Sequence, residues 1–202
     1  MNVYYIGGSP CSGKSTVASL LSKTYGLTYF KVDDHLERYM ALAAADGKPC
    51  CKKATAMTPE EIWMRPPALQ CQEELDIYQE IFPYIQADLK GLNAPGAILT
   101  EGAAFLPLLM KQAHIPENRY LSITPTKDFQ VFHYRQREWV AYVLAECSDK
   151  EAAFENWMER DALFARAVEQ QCRKEGYRSL INEGEVPMEE MARQVAAHFA
   201  FP

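Results

Sequence analysis

The chain has 202 residues, 48% hydrophobic and 24% charged, with a net charge of −6. These are ordinary globular values, and the acidic balance argues against a general nucleic-acid binder. No apolar run approaches the length of a membrane span, so no membrane partner is expected.

The length suits a single domain over residues 1–202, as a monomer or a homodimer. The first apolar run begins so close to Met1 that no targeting segment is expected. The six cysteines (Cys11, Cys50, Cys51, Cys71, Cys147 and Cys172) show no C-x-x-C spacing. Reduced thiols in a cytoplasmic protein follow.

Val3-Tyr4-Tyr5-Ile6 reads as a buried strand. It leads into Gly8-Ser9-Pro10-Cys11-Ser12-Gly13-Lys14-Ser15, which fits the phosphate-loop pattern G-x-x-x-x-G-K-[ST]. Such a loop curls so that backbone N–H groups face nucleotide phosphates, while the lysine adds charge and the hydroxyl suits Mg²⁺. Ser15 to Ser22 has helical periodicity, stopped by Gly26. Further strands are read at Leu27–Val32, Ala97–Thr100, Arg119–Ile123 and Tyr177–Ile181. Strands alternating with helices predict a three-layer α/β sandwich, a parallel sheet with helices on both faces.

Helix starts are marked by Asp34-x-x-Glu37, Thr58-Pro59-Glu60-Glu61, Ser148-x-x-Glu151 and Pro187 with Glu189 and Glu190. After Pro67, an apolar stripe runs through Cys71, Leu75, Tyr78, Phe82, Ile85 and Leu89, with Pro83 expected to kink it. Two connections are long: residues 33–96 as an acceptor-binding excursion, and residues 126–176 as a helical lid.

Phosphoryl transfer needs charge neutralisation and alignment. Lys14 and Ser15 supply two parts, within a nucleotide-binding stretch from Gly8 to Thr16 that includes Ser9, Pro10, Cys11, Ser12 and Gly13. Asp33, at the end of strand two, is expected to act as the functional carboxylate, facing Mg²⁺ or the acceptor's proton. Strand alternation leaves Asp34 as the helix cap or an acceptor contact. Glu101, ending strand three, is a further Mg²⁺ candidate, giving a metal set of Ser15, Asp33 and Glu101. Arg135, Arg137 and Arg160 are lid candidates, with Arg137 favoured for catalysis. Arg38 and Arg65 flank the excursion and suit an acidic acceptor. Lys52 and Lys53 read as a solvated patch, Trp63 and Trp157 as packing, and the histidines have no metal spacing. Cys11, inside the loop, is a candidate for oxidant sensitivity.

Gly7 to Thr16, with Val32-Asp33-Asp34 after strand two, resembles the P-loop nucleoside and nucleotide kinase group. That group includes adenylate, shikimate and gluconate kinases and chloramphenicol phosphotransferase. The resemblance implies a five-stranded parallel sheet in 2-3-1-4-5 order, with ATP and Mg²⁺ as cofactors. It also implies that Ser179-Leu180-Ile181-Asn182-Glu183-Gly184 precedes the final helix near the adenine. The chain lacks Gly-Asp-x-x-Arg at strand two, which favours a hydroxyl on a nucleoside or small metabolite over a nucleotide acceptor. The expected activity is ATP-dependent phosphorylation of a small-molecule alcohol. A nucleotide-binding regulator or a toxin-like kinase acting on a larger target stays open. A GTP switch is disfavoured because N-K-x-D is missing.

Overall fold

The computed structural model describes residues 2–201. Five parallel strands form one sheet in the order β2-β3-β1-β4-β5. They are β1 (Val3–Gly8), β2 (Thr28–Lys31), β3 (Ile98–Glu101), β4 (Tyr120–Pro125) and β5 (Arg178–Asn182). The sheet and its order agree with the sequence reading, with strand ends shifted by one or two residues.

Helix α1 (Lys14–Tyr25) follows β1 directly. Between β2 and β3 lie α2 (Leu36–Ala45), α3 (Pro49–Ala54), α4 (Pro59–Trp63) and α5 (Pro67–Gly91). Then α6 (Pro107–Gln112) precedes β4. Helices α7 (Lys127–Tyr134), α8 (Trp139–Val143) and α9 (Lys150–Glu175) fill the connection to β5, and α10 (Met188–Phe199) closes the described chain.

Strand periodicity divides the core into two layers. Ile6, Leu99, Leu121 and Ile123 face α1 and α10, where Val17, Leu21, Val195 and Phe199 are buried. Ile98 and Tyr120 face the opposite layer, with Ile81 and Ile85 of α5 and Phe164 and Val168 of α9. A third cluster, centred on Tyr134, Phe154 and Trp157, packs α7, α8 and α9 together.

The long helix α5 runs unbroken through Pro83. Its stripe is buried as expected at Cys71, Tyr78, Phe82, Ile85 and Leu89, but Gln70 and Glu74 share that buried face. A polar group on a buried face needs a partner, and both line the helical cavity described below. Thr58 and Glu61 form the expected capping box of α4.

Two other caps differ from expectation. Val32–His35 forms a 3-10 turn, so Asp34 does not cap α2 and instead pairs with Lys31 at 3.1 Å. Strand alternation ends at Lys31 and cannot orient Asp33 or Asp34. Asp149, not Ser148, caps α9, accepting from the Ala152 N–H. Ser148 instead donates to Glu60 through both its N–H and its hydroxyl. Among the described residues, no helix is long and apolar enough to cross a membrane.

Candidate functional site

The loop between β1 and α1 takes its shape from glycine. Gly8 has φ of 121°, and a Cβ there would lie 1.9 Å from the Ile123 carbonyl oxygen. No other residue fits that position. Gly13, at φ of 88°, turns the chain into α1 without a side-chain cap, which leaves the first N–H groups of the helix facing the loop. Cys11 also adopts a left-handed conformation, at φ of 60°.

Lys14 is buried, and its Nζ donates to the Ser9 carbonyl at 2.6 Å and to Ser12 Oγ at 3.4 Å. The cation is thus held by its own loop. The Ser9 hydroxyl reaches the Asp161 backbone carbonyl at 3.4 Å, which ties the loop to α9. Asn182, at the end of β5, donates from Nδ2 to the Ser12 carbonyl at 3.0 Å and accepts from the Gly184 N–H.

Glu101 ends β3 and is fully buried. Its Oε1 accepts from Ser15 Oγ at 3.0 Å and from the Tyr29 hydroxyl at 2.9 Å. Its Oε2 has no hydrogen-bond partner among the described residues. A buried carboxylate oxygen without a partner is costly unless something else satisfies it. A hard cation between this carboxylate and the Ser15 hydroxyl fits that donor set. Burial first, then the Glu101 charge, pushes the Tyr29 phenol up, so Tyr29 stays a donor.

A cavity of about 360 Å³ opens over the loop, lined by residues 10–16 with Lys31, Asp33, Tyr134, Arg137 and Trp139. Arg137 Nη2 approaches Cys11 Sγ at 3.4 Å, and its guanidinium lies 4.8 Å from the Tyr134 ring centre. Burial pushes the Cys11 thiol up, while Arg137 pulls against that shift. A raised thiol gives little thiolate. A neighbouring cavity of about 400 Å³ lies between Gly13, Phe129, His133, Asn182, Gly184 and Met188.

The remaining arginines do not converge on the loop. Arg135 turns outward, pairs with Glu151 at 2.6 Å and sits over the Phe154 ring. Arg160 is largely buried, with Nη1 2.6 Å from Glu74 and Nε 2.7 Å from Asp161. Its position inside an ion-pair cluster removes it as a mobile lid residue. Arg38 pairs with Asp88 at the surface, and Asp34 is held by Lys31. Neither is among the residues lining the cavity over the loop. Arg65 pairs with Glu73 at 2.6 Å in the wall of the helical cavity, between α2, α4, α5 and α9.

Sequence reasoning does not reach Tyr29, or the pairing of Arg160 with Glu74 and Asp161. Glu74 carries a usable signal, since a carboxylate on an apolar helical stripe demands a buried partner. Burial, against the pull of Arg160, raises the Asp161 carboxyl to about 7.

Neither a family model nor a curated protein matches the sequence. Solved structures do. The Thermus thermophilus protein TT1252 superposes with a TM-score of 0.51 at 20% identity, covering 97% of this chain and 96% of that one. Shikimate kinase from Aquifex aeolicus aligns over 99% of this chain and 96% of its own, at 19% identity and a TM-score of 0.41. Shikimate kinase from Acinetobacter baumannii, solved with shikimate, aligns over 96% and 89%, at 14% identity and a TM-score of 0.48. With its sheet order and its glycine-shaped phosphate loop, this chain has a three-layer α/β fold with a phosphate loop after β1, and it shares that fold with TT1252.

Proposed function

We propose that the protein is an ATP-dependent kinase that transfers the γ-phosphoryl group to a hydroxyl of a small molecule. One observation carries the reading: Lys14, Ser15, Asp33 and Arg137 line a single cavity at the C-terminal ends of the strands, with Glu101 buried against Ser15. That is the charge set phosphoryl transfer requires.

In this reading the phosphates lie along residues 8–16, and Lys14 exchanges its contacts to Ser9 and Ser12 for phosphate oxygens. Ser15 and Glu101 would hold Mg²⁺, with Asp33 on the wall of the same cavity. A bound ion would supply Lewis-acid neutralisation of phosphate charge there. The acceptor oxygen attacks the γ-phosphorus, and the bond from that phosphorus to the β–γ bridging oxygen breaks. ADP leaves with the electron pair. The alcohol proton passes to Asp33. Arg137 lies over the developing equatorial charge, as the part of the 126–176 lid that reaches the loop. Residues 33–96 supply the acceptor's side of the cleft. The cavity beside Asn182 and Gly184 suits the adenine base.

The test is ADP release from Mg-ATP against a panel of nucleosides, sugars, hydroxy acids and aromatic alcohols. The proposal expects at least one acceptor to raise ADP release well above the acceptor-free rate. Retention of that stimulated rate in Lys14→Ala would remove the loop from the chemistry.

A further inference from the structure

The Glu101 carboxylate uses its two oxygens unequally. Oε1 accepts from Ser15 Oγ at 3.0 Å and from the Tyr29 hydroxyl at 2.9 Å. Oε2 has no hydrogen-bond partner among the described residues, although Glu101 is fully buried. The Ser15 bond is local to the site, joining the first turn of α1 to the end of β3. The Tyr29 bond comes from outside it. Tyr29 lies on β2, the edge strand, and is not among the residues lining the cavity over the loop. In the β2–β3 register Tyr29 stands beside Leu99, and Lys31 beside Glu101.

The tyrosine joins two environments. Its ring is half-buried and packs against the layer that holds Val17, Leu21 and Leu99. That packing sets the direction of the phenol, whose hydroxyl then meets Glu101. Burial, and after it the Glu101 charge, pushes the phenol up, so its single proton stays in place for the carboxylate.

A second donor changes what the carboxylate can do. The terminal torsion of a glutamate is broad, and a serine hydroxyl rotates to suit its partner. The Ser15 bond alone therefore leaves the carboxylate plane loosely set. A donor carried on a packed ring fixes that plane and leaves Oε2 as the oxygen without a protein partner. Ser15 has one proton and gives it to Oε1, so its lone pairs stay available. Partners that orient a metal-ligating carboxylate typically change metal affinity by about 10- to 100-fold.

We propose that Tyr29 is a positioning residue for divalent-metal binding: its hydroxyl holds Glu101 Oε1, so that Glu101 Oε2 and the Ser15 hydroxyl are the oxygens offered to the cation. The inference rests on the placing of the metal at Ser15 and Glu101 in the kinase reading above. It adds a residue that touches neither nucleotide nor acceptor.

Tyr29→Phe removes the hydroxyl and keeps the ring in its packing. Calorimetry measures the affinity of the wild type and of Tyr29→Phe for the non-hydrolysable analogue adenylyl imidodiphosphate, in saturating Mn²⁺ and in EDTA. The ratio of the two affinities reports the coupling of metal to nucleotide, with no turnover in the readout. That ratio should fall about tenfold or more in Tyr29→Phe, while the affinity in EDTA and the melting curve stay unchanged. Equal ratios in the two proteins overturn the inference. A Tyr29→Phe protein that does not fold, or that loses affinity by the same factor in EDTA, also overturns it, because Tyr29 then supports the fold and not the carboxylate. A wild type that gains no affinity from Mn²⁺ does so as well. The expected fall in a protein that phosphorylates no acceptor counts against the kinase reading and leaves the role of Tyr29 standing.

Discussion

The loop cavity and the helical cavity both carry charged side chains, yet they hold them in opposite ways. Over the loop, Lys14 is held by a backbone carbonyl and a hydroxyl of its own loop, and Glu101 keeps one carboxylate oxygen free. In the helical cavity, Arg65 and Arg160 are each matched by glutamate, with Asp161 behind Arg160. The first arrangement leaves charge available to a ligand. The second spends it inside the protein and presents shape. A kinase needs both, because phosphates are recognised by charge and an alcohol by the surface around it.

The comparison breaks most severely at Arg160. Arg160→Met should cost about 3–5 kcal/mol, because it leaves Glu74 and Asp161 buried without their cation. Chemical denaturation measures it directly. A loss below about 1 kcal/mol would mean that the cluster is solvated and behaves like a surface pair.

Next comes Asp33. Asp33→Asn should lower turnover by about a hundredfold or more, near 2.7 kcal/mol, while ATP affinity stays within about tenfold. Steady-state kinetics and a binding titration separate the two effects. Full activity in Asp33→Asn would transfer the proton-accepting role elsewhere, with Glu101 the next carboxylate to test.

A smaller effect, and one of definite sign, belongs to Asp161. Its folded carboxyl is raised to about 7 by burial, from an ordinary value near 3.8. The folded state therefore holds the proton more tightly than the unfolded chain. Stability from this group is fully present below the unfolded value and is lost as pH rises through about 7. Asp161→Asn should flatten that loss. Parallel pH–stability slopes for the two proteins would contradict the shift.

The smallest effect sharpens the contrast between adjacent acids. Asp34 forms an exposed pair with Lys31, so Asp34→Asn should change stability by less than about 1 kcal/mol and leave turnover nearly intact.

The loop cavity was largely legible in the sequence because its geometry is local. Gly8, Gly13, Lys14 and Ser15 sit within eight residues, and a strand–loop–helix setting fixes their directions. Glu101 was readable as the last residue of a strand beside β1, and the register confirms the pairing of Ile6 with Glu101. Asp33 was chosen by strand alternation, yet a 3-10 turn begins at Val32. Its place in the loop cavity comes from that turn instead.

The helical cavity was not legible, because its partners are distant in sequence. Arg160 and Glu74 lie on α9 and α5, and nothing in a single sequence says that these faces meet. Arg135 and Arg137 are two residues apart at the end of α7 and diverge, one to Glu151 and one to Cys11. Spacing alone could not choose between them.

Titration of Mg-ATP into the wild-type protein and into Lys14→Ala tests the central claim most directly. The account predicts saturable binding at one site in the wild type, weakened at least about tenfold, or 1.4 kcal/mol, in Lys14→Ala, with the circular dichroism of the two proteins unchanged. Absence of binding to the wild type, or equal affinity in both, would contradict it.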